Sequence, residues 1–152
     1  MNNRYTGKRV KIGIVDTGIS RENYSMISEN IIGGYNFSLD CTGRNNIKSE
    51  CYHGFAVASI ILNVAPKAKL VIAKVLNDRG EGDPKKTAEG IRYCITKKCH
   101  IINCSVAGPH DPDLEEAVNE AYSKGIIVVG ATGNDGRNKL LYPASYLNCI
   151  GV

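Results

Sequence analysis

The chain of 152 residues is 43% apolar with a formal charge of +4, enough for one domain that buries about 70% of the surface of its unfolded chain. Its basic residues fall in scattered pairs, Lys67/Lys69, Lys85/Lys86 and Lys97/Lys98, not in a stripe with interleaved aromatics, which argues against a nucleic-acid partner. Met1 to Lys11 is polar without an apolar h-region, and no apolar run approaches the ~18–20 residues that span a bilayer. No export and no membrane partner are therefore expected, and a cytoplasmic chain keeps its six cysteines as thiols.

Lys8 to Val15 (KRVKIGIV) is a β-branched run after a basic lead-in, and predicts a buried strand that delivers Asp16 at its carboxyl end. Thr17-Gly18 breaks it. Residues 19–52 are rich in polar side chains with Gly33-Gly34 and Asn45-Asn46, and read as mostly irregular. Gly54 to Asn63 (GFAVASIILN) is apolar nearly all round and predicts a buried helix, ended by Pro66. Leu70 to Leu76 is a second strand. Asp83-Pro84 is an N-cap followed by proline at the first helical position, opening a helix to about Lys98. His100 to Cys104 is a third strand. Asp111-Pro112 opens another helix in which Leu114, Ala117, Val118 and Ala121 fall at i, i+3, i+4 and i+7. Its acidic residues Glu115 and Glu116 sit at the positive end, Lys124 at the negative end, and Gly125 stops it. Ile126 to Val129 is a fourth strand and Cys149 to Val152 begins a fifth.

Strands that are continuous apolar runs, alternating with helices, predict an α/β fold: a doubly wound parallel sheet with helices on both faces. Reactive residues of such sheets gather at the carboxyl ends of the strands. Asp16, Ser105 and Gly133-Asn134 all follow predicted strands, so they are expected on one edge.

The ordered segments IGIVDTGIS, YHGFAVASI, VAPKAKLVIAKVL, INCSVAGP, VVGATGN and YPASYLNCIGV resemble the subtilisin-like serine peptidases, the subtilases, in order and spacing over nearly the whole chain. The resemblance implies a domain over residues 1–152 that is the N-terminal portion of a subtilisin-like fold. It makes Asp16 the triad acid, His53 the general base and Asn134 the oxyanion donor. A carboxylate would hold the imidazole tautomer whose other nitrogen faces a nucleophile. Imidazole titrates near neutrality and suits proton transfer. An amide N–H stabilises an oxygen that becomes negative in the transition state. Ser105, Val106, Ala107 and Gly108 match the strand that pairs with a peptide main chain, and Gly80, Glu81 and Gly82 match the strand facing it. An extended peptide or protein substrate would lie between them as an added strand. Ala131, Thr132 and Gly133 match one wall of the pocket for the side chain before the scissile bond. Bland alternatives are an aspartate capping a turn, a structural histidine and turn glycines around a turn asparagine.

Three departures stand beside the match. The family's nucleophile lies in a Gly-Thr-Ser-Met-Ala helix start beyond the last strand here, and neither Ser105 nor Ser145 opens a helix after a glycine turn. Phe55 follows His53-Gly54 where the family has threonine, and is expected to crowd the base. Ala107 replaces a glycine and is expected to narrow the groove. Asn63 to Ala65 is too short for the calcium ligands that many subtilases place there, so no metal and no cofactor are expected. No propeptide is expected before Asp16, which would agree with intracellular members or with a protein that never needed to restrain a protease.

Other chemistries fit less well. Asp-Thr-Gly also marks aspartic peptidases, but these need two such loops and are all-β. Cys51 lies two residues before His53, with spacing unsuited to a Cys-His dyad. Cys94, Cys99, His100 and Cys104 straddle a helix end and a strand, whereas zinc needs ligands that converge; core thiols are the simpler reading. Gly130 to Gly133 resembles a phosphate loop without the helix N-terminus that would complete it. Two functions remain. One is a serine endopeptidase whose nucleophile comes from a missing region or a second chain. The other is a non-catalytic pseudoprotease that binds peptides or regulates. In either case an incomplete sheet edge is expected to self-associate or recruit a partner.

Overall fold

A computed structural model describes residues 5–38, 43–134, 136 and 141–152. The elements in chain order are β1 (Lys11–Asp16), β2 (Ile19–Ser20), α1 (Tyr24–Ile27), β3 (Ile31–Asn36), β4 (Lys48–Ser49), α2 (His53–Val64), β5 (Lys69–Lys74), α3 (Pro84–Thr96), β6 (Ile101–Cys104), α4 (Pro112–Ser123), β7 (Ile127–Gly130) and β8 (Ile150–Gly151). Six strands form one sheet in the order β3-β5-β1-β6-β7-β8, every pairing parallel. β2 and β4 pair separately.

The pleat divides each central strand between two cores. Ile12, Ile14, Leu70 and Ile72 face α2, packing with Phe55 and Ala58. Val15, Val71, Ala73, Ile102 and Val128 face α3 and α4, packing with Ala88, Ile91, Leu114 and Val118. This is the expected parallel sheet with helices on both faces. The chain builds out from β1 to β3 and β5, then crosses to β6 on the other side of β1. That reversal opens a crevice at the carboxyl end of β1, where Asp16 lies. Among the described residues, no helix is long and apolar enough to cross a membrane.

Two segments differ from expectation: residues 19–52, which carry β2, α1, β3 and β4, and the helix α2. The stretch read as irregular contains the edge strand β3, in register with β5 from Gly33↔Val71 to Asn36↔Lys74. Of its two glycines, Gly34 answers to packing. A Cβ on Gly34 would stand 2.7 Å from the Ile47 side chain, so Ile47 can close over the strand only where no side chain intervenes. Residues 39–42 of that stretch, and Asp135 of the Gly-Asn-Asp-Gly turn, lie outside the described residues. Helix α2 is buried on one face only: Gly54, Phe55 and Ala58 are enclosed, while Ile60 and Val64 are about two-thirds exposed (68% and 67%). Ile127, Leu147, Ile150 and Val152 are exposed as well.

Both Asp-Pro starts form as predicted. Asp83 accepts from Lys85 N at 2.8 Å, and Asp111 from Asp113 N and Leu114 N at 2.9 and 3.1 Å. Helices α3 and α4 also end alike. In α4, Gly125 N bonds Tyr122 O and Ile126 N bonds Ala121 O, a Schellman closure with glycine at φ 71°. In α3, Lys98 N bonds Ile95 O and Cys99 N bonds Cys94 O, but Lys98 holds the left-handed position at φ 57°. A side chain there costs about 1 kcal/mol relative to glycine. Lys98→Gly is therefore expected to stabilise the protein by about 1 kcal/mol, raising the melting temperature by ~2–4 °C in calorimetry.

Candidate active site

Asp16 is the last residue of β1 and His53 the first of α2. The structure brings them together across 37 residues, with His53 Nδ1 2.8 Å from Asp16 Oδ1. The Asp16 side chain is fully buried and the imidazole about half exposed. Asp16 Oδ1 also accepts from Thr17 N at 2.7 Å, while Oδ2 is buried with no hydrogen-bond partner among the described residues. An ionised carboxylate only accepts, so the pair favours the tautomer with the proton on Nδ1 and leaves Nε2 as a base toward solvent.

The two motif segments are locked to each other. Gly54 N donates to the Thr17 hydroxyl at 3.1 Å, and a Cβ on Gly54 would collide with the Gly18 carbonyl. The Asp-Thr-Gly turn and the His-Gly helix start thus fit against each other, and the spacing between acid and base follows from that fit.

Beneath the turn lies Lys74, fully buried at the end of β5 and opposite Asp16 in the ladder. Its Nζ donates to Thr17 O at 3.1 Å and to Asp78 Oδ1 at 2.9 Å. The Ser49 hydroxyl donates to the same carboxylate at 2.6 Å, and Ser49 Oγ in turn accepts from Cys51 N. One ammonium group ties together the turn after Asp16, the loop after β5 and the segment leading to His53. Burial works to raise the Asp78 carboxyl, but the Ser49 hydroxyl and the Lys74 ammonium outweigh it and hold it below its ordinary 3.8. Lys74→Met keeps the chain length and removes these bonds. It is expected to cost about 2–3 kcal/mol in urea unfolding, discounted because Asp78 is partly solvated. Because the folded Asp78 titrates below 3.8, its contribution is present above that value and lost as pH falls through the lowered one. The wild type should accordingly lose stability below about pH 4 more steeply than Lys74→Met, a difference that acid-unfolding curves followed by circular dichroism will resolve.

A cleft of about 580 Å³ opens beside His53. One wall is Gly80, Glu81 and Gly82, the other Ser105, Val106, Ala107 and Gly108. Gly80 N and Glu81 N are held by Asn77, and Gly82 bridges Leu76, so this wall is a tight hairpin. Gly108 exchanges both main-chain bonds with Tyr142 at 3.0 Å. Among the described residues, the main chain of Ser105, Val106 and Ala107 makes no backbone hydrogen bond, and that edge is open for pairing. The Ser105 hydroxyl accepts from Asn103 Nδ2 at 2.9 Å.

Ala131, Thr132, Gly133 and Asn134 follow β7 on the same sheet edge but do not line this cleft. Thr132 directs both its N–H and its hydroxyl to Val152 O, at 2.8 and 3.0 Å, and Asn134 is exposed. Phe55 does not crowd the base: it is 3% exposed, stacks edge-on with Tyr52 and belongs to the α2 core, because the helix turns that position inward. Ala107 does face the cleft. Sequence reasoning missed Thr87, Leu114 and Tyr142 in the lining; the helical spacing of Leu114 marked it as core, and nothing local marked the others. Cys51 also lines the cleft. Of the four-residue Cys/His set, His100 Nδ1 accepts from Lys11 N at 3.0 Å.

The sequence matches the profile described as the subtilase family over residues 7–152. The chain belongs to the subtilase family. This subtilase chain is 37% identical to the "Major intracellular serine protease" of Bacillus subtilis (strain 168), covering 96% of this chain and 51% of that protein. It is 38% identical to the "Intracellular serine protease" of Paenibacillus polymyxa, covering 99% and 51%. It is 36% identical to "Subtilisin Savinase" of Lederbergia lenta, covering 99% and 57%. It spans about half the length of the curated relatives it matches.

Proposed function

We propose that this subtilase chain carries the acid Asp16, the base His53 and the oxyanion donor Asn134 of a serine endopeptidase. The observation that supports this most is the 2.8 Å pair between a buried carboxylate and a half-exposed imidazole beside the cleft. Asp16 holds the imidazole and stabilises its protonated form during reaction. His53 takes the proton of a nucleophile and returns it to the leaving amine. The open edge of Ser105, Val106, Ala107 and Gly108, faced by Gly80, Glu81 and Gly82, receives an extended peptide or protein substrate. Ala131, Thr132 and Gly133 form one wall of the pocket for the side chain before the scissile bond.

In this reading the nucleophilic serine comes from a segment outside these residues, or from a second chain. The engagement of the Ser105 hydroxyl with Asn103 favours it over Ser105 itself as nucleophile. The exposed side chains of Ile60, Val64, Ile127 and Ile150 supply the apolar surface that such a segment, a partner or self-association would cover. A cytoplasmic setting is proposed with it, in keeping with relatives named as intracellular.

Fluorophosphonate labelling of the protein purified from its native cells, read by intact mass, tests this. The expected result is a labelled serine on a longer form or a co-purifying chain, with labelling lost in His53→Ala. No label on any component overturns the peptidase reading and leaves a non-catalytic peptide-binding or regulatory module.

A further inference from the structure

The Schellman closure of α3 does more than end a helix. Such closures pack the third residue from the end against the residue two beyond the cap. In α4 those two residues are Ala121 and Ile126; in α3 they are Cys94 and Cys99. Both thiols belong to the core between the sheet and α3/α4, 0% and 3% exposed. The 3.1 Å bond from Cys99 N to Cys94 O draws the two main chains together at the helix end, and the thiols stand close enough to act on each other, as a disulfide requires.

We propose that Cys94 and Cys99 form a site of reversible oxidation by peroxide to an intramolecular disulfide, at the opposite end of β1 from Asp16. The chemistry is asymmetric. Contact between the thiols, and then burial, raises Cys94 well above the ordinary thiol value of 9.0. Contact with Cys94 lowers Cys99 against its own burial, and the Lys11 ammonium adds to the lowering. Lys11 Nζ is fixed at this helix end by the Lys97 carbonyl at 3.3 Å. Cys99, which is beside the Lys11 ammonium and is the less enclosed of the two at 3% against 0% exposed, is assigned the first attack. Its sulfur displaces hydroxide from hydrogen peroxide, giving sulfenic acid, and the hydroxide takes a proton to leave as water. Cys94 then attacks that sulfur, a second water leaves, and the sulfur–sulfur bond forms. Two thiols lose two electrons and two protons in all, and one peroxide becomes two waters. Burial raises Cys104 well above 9.0 and pushes Cys149 up to about 11, which disfavours their thiolates and slows their oxidation.

The test treats the native protein with hydrogen peroxide, removes the excess, alkylates in denaturant and maps tryptic peptides. The expected product is lighter by about 2 Da, restored by dithiothreitol, with the peptide Tyr93–Lys97 linked to the peptide Cys99–Lys124. Fragmentation should place the bond on Cys99 and not on Cys104, with Cys99 oxidised at least about tenfold faster than Cys104 or Cys149. Cys94→Ala removes the contact that lowers Cys99 and leaves only Lys11 beside it, so dimedone should trap Cys99 as its sulfenic acid, but more slowly than the wild type forms its disulfide. Both thiols remaining alkylatable, a bond to Cys104 or Cys149, or linkage that appears only when peroxide is added in denaturant would each overturn the proposal. Because the wild-type map decides on its own, a failure of Cys94→Ala to fold does not blunt the test.

Discussion

Asp16→Asn should slow fluorophosphonate labelling of the proposed peptidase by about 10⁴-fold, the size of loss known for removal of the triad acid in serine peptidases, subtilisin among them. The geometry here says why an isosteric amide fails. Asp16 Oδ1 serves two donors at once, Thr17 N at 2.7 Å and His53 Nδ1 at 2.8 Å. If the amide oxygen keeps that place, the new NH₂ replaces Oδ2, which is buried with no partner among the described residues, and a donor is left unsatisfied. If the amide turns over, the NH₂ faces Thr17 N–H and forces the His53 proton onto Nε2, where it blocks proton acceptance. Either arrangement costs stability, by about 1 kcal/mol or more. Nitrogen-15 NMR of the His53 ring reports the tautomer in this chain without any nucleophile present. A labelling rate within tenfold of wild type, with the proton still on Nδ1, would remove Asp16 from the proposed role.

The parallel sheet was legible because its central strands are buried on both sides and read as continuous apolar runs, and because two Asp-Pro starts punctuate them. The strand β3 was not, since Gly33-Gly34 carries the same local signal in a turn as under a covering side chain, and only the packing of Ile47 distinguishes them. The one-sided burial of α2 escaped for a related reason: an all-apolar helix does not say which face has a partner. At the site, Asp16 and His53 could be named from motif order, but the link between Gly54 and Thr17 joins residues 37 apart and exists only in three dimensions. Lys74 left a signal that went unused: a charge inside the run LVIAKVL is costly unless paired, and in the fold it sits on Thr17 O and Asp78.

Gly54→Ala tests that link and should produce the larger structural loss. In an ordinary helix this substitution is favourable by about 0.5–1 kcal/mol, because alanine restricts the unfolded chain. At position 54 the sign should reverse. The added methyl meets the Gly18 carbonyl and stands 3.2 Å from the Thr17 hydroxyl oxygen, so relief requires the helix start to move away from the turn. Movement stretches the bond from Gly54 N to Thr17 Oγ1 and separates His53, one residue earlier, from Asp16. Main-chain atoms do not give way as side chains do, so the overpacking cost should reach about 3 kcal/mol or more after the helix gain is offset. Urea unfolding followed by circular dichroism measures it, and the loss of the His53–Asp16 pair should show in the same imidazole NMR signals. Thr17→Val separates the two contributions: it removes the hydroxyl but not the Gly18 carbonyl, and should cost only about 1–2 kcal/mol. An unfolding midpoint for Gly54→Ala equal to or above that of wild type would mean that the turn and helix start are free to separate. The spacing of acid and base would then have to be set elsewhere, with the Lys74 network as the remaining tie between the turn and the segment leading to His53.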